Sequence, residues 1–145
     1  MEWKKFTELN IEYPEKVIQN KIEGFDIATD NRANLELIKA DGIQSLRISL
    51  PGSFKFSLFL TSPFLKNYRF EILSFSYDIK FMPVHISIED SIDNEIFGEN
   101  YSFEPRAHIA NSNEEFKQIL DLIFGSSIFE TIVGGIIKIS RNYEY

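Results

Sequence analysis

The sequence predicts an α+β domain, mostly antiparallel β: a meander in two sheets, preceded by a short N-terminal helix and followed by C-terminal helices. Three observations lead there. Apolar residues recur with a period of two through the middle of the chain, turn-forming Gly and Pro punctuate that pattern, and helical spacing with capping residues appears near both ends. With 145 residues and no linker-like stretch, the chain reads as one domain, 1–145.

The first helix is expected between Tyr13 and Gly24. Pro14 suits a first helical turn, Val17, Ile18 and Ile22 share a face, and Gly24 is a stop. Phe25 and Ile27 then alternate with polar neighbours. Leu35 and Leu37 lead to Asp41-Gly42, followed by Leu46, Ile48 and Leu50, which is the pattern of a β-hairpin. Pro51-Gly52 turns the chain into SFKFSLFLT, with Phe54, Phe56, Leu58 and Leu60 on one face. Tyr68, Phe70 and Ile72 continue the alternation, which slips by one residue to Leu73, Phe75, Tyr77, Ile79 and Phe81. Such a slip calls for a bulge or a bend between sheets, since otherwise every core residue beyond it would face outward. Val84, Ile86 and Ile88 form a further strand, with His85 and Ser87 on its other face.

Ser112 and Glu115 make a capping box ahead of Phe116, Ile119, Leu120 and Ile123, and Gly125 stops that helix. Ser127 and Glu130 repeat the capping pattern. A second short helix ending at Gly134-Gly135, with 136–140 extended beyond it, fits these residues; a Gly-Gly hairpin fits them too.

A hydrophobic fraction of 43% with 26% charged residues describes an ordinary folded protein. No apolar stretch reaches the roughly 18 residues of a membrane helix, and the first residues lack the apolar core of a signal peptide, so a cytoplasmic location is expected. The absence of cysteine removes disulfides, thiolate nucleophiles and the common structural zinc sites.

The net charge of −7 is concentrated. Residues 81–105 hold six acidic groups, Glu89, Asp90, Asp93, Glu95, Glu99 and Glu104, and no Lys or Arg, while the remainder of the chain is nearly balanced. A calcium loop starting at Asp93 would place Glu95, Gly98 and Glu104 correctly, but Phe97 stands where an oxygen ligand is required. Spacing alone does not single out a catalytic carboxylate pair among 22 acidic residues. His85 and His108 belong to no metal or hydrolase motif, and Gly134-Gly135-Ile136-Ile137-Lys138 lacks the Gly-Lys-Ser/Thr ending of a phosphate loop. No catalytic residue, metal site or cofactor is therefore assigned.

Two binding schemes remain. Arg47, Lys55, Lys66, Arg69 and Lys80 interleave with Phe54, Phe56, Phe59, Phe64, Tyr68 and Phe70, as in sheets that bind single-stranded nucleic acid. Most of these aromatics fall in the core phase of their strands, and the pI of about 4.9 opposes phosphate attraction, so nucleic acid is the disfavoured partner. The acidic segment suits a basic protein partner instead. Complementary charge speeds encounter, and Phe97 and Tyr101 among the carboxylates offer aromatic anchors.

In its length, lack of cysteine, Ile/Phe/Asn-rich composition and localised acidic stretch EDSIDNEIFGEN, the chain resembles the bacterial immunity proteins of contact-dependent growth inhibition and related polymorphic toxin systems. The resemblance is global and carries no diagnostic motif. It implies a small cytoplasmic, non-enzymatic protein that binds one cognate toxin, the C-terminal nuclease domain of a large secreted protein, and blocks its active site or substrate surface. The strand pattern with C-terminal helices is similar to the Whirly-like arrangement of two antiparallel sheets. The partner-binding residues expected from charge are Glu89, Asp90, Asp93, Glu95, Phe97, Glu99, Tyr101 and Glu104, acting as mimics of nucleic-acid phosphates and as anchors.

Overall fold

In the computed structural model, which describes residues 1–143, five strands follow one another in space as they do in the chain. They are β1 (Asn34–Lys39), β2 (Phe54–Thr61), β3 (Arg69–Tyr77), β4 (Val84–Ile88) and β5 (Ala107–Ala110), each antiparallel to the next. The meander is as expected, but it forms one sheet; the two-sheet, Whirly-like expectation is corrected. The physical reason lies at the register slip. Between Leu58/Leu73 and Phe59/Glu71, β3 accommodates one extra residue, Ile72, so the slip is relieved by a bulge within one sheet. Ile72 and Leu73 are consecutive yet both belong to the core.

One face of the sheet carries Leu58, Leu60, Phe75, Tyr77, Val84 and Ile86, and the helices close over it. The helix α1 (Pro14–Ile22) supplies Val17 and Ile18. Glu15 on α1 accepts a hydrogen bond from the Tyr77 hydroxyl, and burial together with that carboxylate pushes the Tyr77 phenol well above its ordinary pKa. Gly24 adopts φ +86°, which ends α1 and opens α2 (Phe25–Ala28). Phe25 and Ile27 were expected on a strand; α2 replaces it, with Thr29 bonding the Asp26 and Ala33 carbonyls.

The Asp41-Gly42 hairpin is also corrected. A short helix, α3 (Ile43–Leu46), follows Gly42, and β1 pairs with β2, so that Leu35 and Leu37 stand opposite Leu60 and Leu58. Residues 46–50 cross the other face of the sheet, where the Lys55 ammonium donates to the Ser45 and Ile48 carbonyls at 3.1 and 3.0 Å.

The N-cap half of the expected capping box forms, with Ser112 Oγ accepting from the Glu115 amide at 3.1 Å, but the Glu115 carboxylate accepts from the Asn111 amide rather than from that of Ser112; α5 runs Asn113–Phe124, and Phe116, Leu120 and Ile123 are buried. The last helix differs. Its N-cap is Ser126 rather than Ser127, and α6 (Ser127–Arg141) continues through Gly134 and Gly135, so neither the extended stretch 136–140 nor the hairpin exists. Burial of Phe129, Ile136 and Ser140 on the inner face keeps the helix intact across both glycines. A Cβ added at either glycine meets nothing within 4 Å. Gly134→Ala with Gly135→Ala is therefore expected to raise stability by about 2 kcal/mol from helix propensity, read as a higher midpoint in thermal unfolding. No single helix among the described residues is long and apolar enough to cross a membrane.

Candidate partner-binding surface

The acidic segment is not a loop throughout. Asp90–Phe97 is a helix, α4, whose apolar side is set by Ile92 and Ile96 at helical spacing. Glu89 is its N-cap: the carboxylate accepts from the Ile92 amide at 2.9 Å and from the Ser91 hydroxyl. Asp90 and Asp93 lie in the first turn, where the helix dipole favours negative charge.

Asp93 points inward and is 4% exposed. One oxygen accepts from Arg106 Nε at 2.9 Å and the other stands 2.6 Å from His108 Nε2. Arg106 also donates to the Phe97 and Gly98 carbonyls and to Asn94 Oδ1, while the Phe97 ring stacks on His108 with centroids 4.1 Å apart. One buried carboxylate thus joins α4 to the edge strand β5 and pins the start of the connection 98–106. Glu95 is likewise engaged: its two oxygens accept from the Ser127 and Ile128 amides at 2.8 Å each, capping α6.

Three carboxylates of the six remain turned to solvent without an ion pair among the described residues: Asp90, Glu99 and Glu104. Glu99 and Glu104 lie on the 98–106 connection with Tyr101, 89% exposed, and Phe103, fully exposed. Asn100 organises this connection. Its amide donates to Asn94 Oδ1, its side chain donates to the Glu104 carbonyl, and its Oδ1 accepts from the Ser102 amide. Two large aromatics are therefore held out in water by a hydrogen-bonded loop rather than by a random one.

Of the eight residues expected to contact a partner, the fold gathers Glu99, Tyr101 and Glu104 on this loop and leaves Asp90 exposed at the start of α4. Phe97 lies at the loop base against His108, and Glu89, Asp93 and Glu95 are committed within the protein. Phe103 was missed, although an aromatic residue amid carboxylates was visible in YSFEP. Arg106 and His108 were missed because their partner, Asp93, is distant in sequence.

The segment also lacks the geometry of a calcium loop, since Asp93 and Glu95 turn to different neighbours on a helix. Among the described residues no group of three His, Asp or Glu side chains gathers around one point.

The aromatic residues of the alternative scheme are largely occupied, whereas of its cations only Lys55 is tied down and Arg47, Lys66, Arg69 and Lys80 make no ion pair among the described residues. Phe56 is buried, Phe54 and Phe70 pack on the core, Lys55 is tied to two carbonyls, and the Arg69 guanidinium lies 4.4 Å from the Phe59 ring centre. Of the six aromatics only Tyr68 is exposed. No known protein family, curated protein or solved structure matches the chain.

Proposed function

We propose that the protein is a non-enzymatic, cytoplasmic binding protein that neutralises a basic bacterial toxin domain, with a nuclease as the expected class. The surface assigned to docking is Asp90, Glu99, Tyr101, Phe103 and Glu104, while Glu89, Asp93 and Glu95 position it from within. The observation that carries this reading is the pair of exposed aromatics, Tyr101 and Phe103, on a pinned loop flanked by carboxylates. Aromatic anchors hold binding energy when a partner desolvates them, and surrounding charges set the encounter rate and exclude wrong partners. A cationic cleft shaped for phosphates meets both requirements. The resemblance to immunity proteins points the same way.

The test is kinetic, against a basic nuclease domain of a polymorphic toxin taken as the partner. Glu99→Lys with Glu104→Lys is expected to slow association about tenfold at low salt and to flatten its salt dependence. Tyr101→Ala with Phe103→Ala is expected to leave association nearly unchanged and to speed dissociation about 30-fold, the equivalent of roughly 2 kcal/mol. Unaltered kinetics in both variants would remove this surface from the interface.

A further inference from the structure

The face of the sheet turned away from α1, α5 and α6 has a polar centre. Ser57, Ser74 and Ser87 stand side by side there on β2, β3 and β4, paired in register. Serine packs a pleated surface poorly compared with Val, Ile or Thr, and its small side chain leaves space above the strands. Ser57 and Ser74 are only 7% and 6% exposed, and the Ser74 hydroxyl makes no hydrogen bond to another described residue.

The 46–50 crossing roofs one side of this row. The Lys55 ammonium holds it through the Ser45 and Ile48 carbonyls, and the Ser76 hydroxyl holds it through the Pro51 carbonyl. Gly52 makes the close approach possible: it has φ +121°, and a Cβ there would lie 3.1 Å from the Tyr77 backbone. Between roof and strands lies a cavity of about 370 Å³, with Ile48, Leu50 and Phe59 among its apolar walls. That is the low end of the range for small-molecule sites.

Its charge is opposite to that of the molecule. Arg47, Arg69 and Arg106 line it against a single carboxylate, Glu71, in a protein of net charge −7. Arg106 has its donors committed to Asp93, Asn94 and two carbonyls, whereas the Arg47 and Arg69 side chains make no ion pair among the described residues. Burial pushes the Glu71 carboxyl above its ordinary pKa, against the lowering by the Ser57 hydroxyl and Arg69. A concave site with an excess of positive charge and apolar walls attracts anions.

We infer that this cavity binds a small organic anion, an apolar body bearing one carboxylate or phosphate group, with Arg47 and Arg69 on the anionic oxygens and the Ser74 hydroxyl on a polar atom of the body. It involves none of the five residues assigned to docking, so it stands or falls separately from the proposed neutralising role.

Backbone amide NMR with benzoate and phenyl phosphate as probes tests it, with benzyl alcohol and inorganic phosphate as controls. Saturable shifts centred on Ser57, Ser74 and Ser87 are expected with at least one organic anion, and the stronger of the two identifies carboxylate or phosphate as the preferred group. Arg47→Ala and Arg69→Ala, both at exposed positions, are each expected to weaken binding about tenfold. Ser74→Val, which fills the floor without removing charge, is expected to abolish it. The inference is overturned if neither anion saturates, if benzyl alcohol produces the same shifts, or if both arginine variants bind like the unmodified protein.

Discussion

Replacing Asp93 by alanine is expected to destabilise the protein by about 3–5 kcal/mol, the range for removing one partner of a buried ion pair. The side chain is 6% exposed, and its loss leaves Arg106 Nε and His108 without the acceptor they share. The cost falls on tertiary structure rather than on the helix itself, because Glu89 still caps α4 through the Ile92 amide. Urea unfolding should show a lower midpoint with an unchanged slope. Hydrogen exchange should show faster opening of residues 98–106, whose base Arg106 secures through the Phe97 and Gly98 carbonyls. Asp93→Asn, which keeps one acceptor and the shape, should lose less. A loss below about 1 kcal/mol for the alanine variant would place the pair in the class of surface ion pairs and refute its role as an anchor.

Asp93 separates two functions of negative charge. Its removal should weaken partner binding through loss of loop order, with the salt dependence of association retained. Reversal of Glu99 and Glu104 should do the opposite and change that salt dependence without lowering stability.

Phe116→Ala is expected to cost a further, independent 3–5 kcal/mol or so, the usual range for deleting a buried aromatic ring. Phe116 is completely buried, and its ring meets that of Phe75, also completely buried, with centroids 5.4 Å apart and planes tilted by 57°. That contact joins α5 to the centre of the sheet, so the cavity left behind is bounded by strands that cannot collapse into it. Leu122→Ala, on the same helix but 49% exposed, should change stability by no more than about 0.5 kcal/mol. Equal losses at the two positions in denaturant unfolding would contradict the assigned helix face.

The bounds and inner face of the same helix are legible in the amino-acid sequence. Ser112, Glu115 and Gly125 mark the ends of α5, and Phe116, Leu120 and Ile123 mark its inner face, because capping and helical spacing involve residues within one or two turns. Pro14 and Gly24 bounded α1 for the same reason. The slip after Ile72 was visible as a slip, since alternation is also local.

Elsewhere local signals competed with packing and lost. Asp41-Gly42 is a strong turn signal, yet a hairpin needs two strands that pair, and Leu35 and Leu37 found Leu60 and Leu58 across β2 instead. Gly134-Gly135 disfavours a helix by about 2 kcal/mol, less than the burial of Phe129 and Ile136 on α6 returns. Whether a slip becomes a bulge or a corner depends on which strands lie alongside, and only the assembled sheet decides that.

The acidic segment shows the division most clearly. That residues 81–105 carry six negative charges and no positive ones is a property of amino-acid order alone, as are the lack of cysteine and the antiparallel character of the chain. Which of those charges face water is not. Glu95 is spent on the first turn of α6 and Asp93 on Arg106 and His108, partners 13 to 33 residues away, while Glu99 and Glu104 stay in solvent beside Tyr101 and Phe103. Charge can be counted along a chain, but its direction depends on long-range hydrogen bonds and burial, and those exist only once the chain has closed on itself.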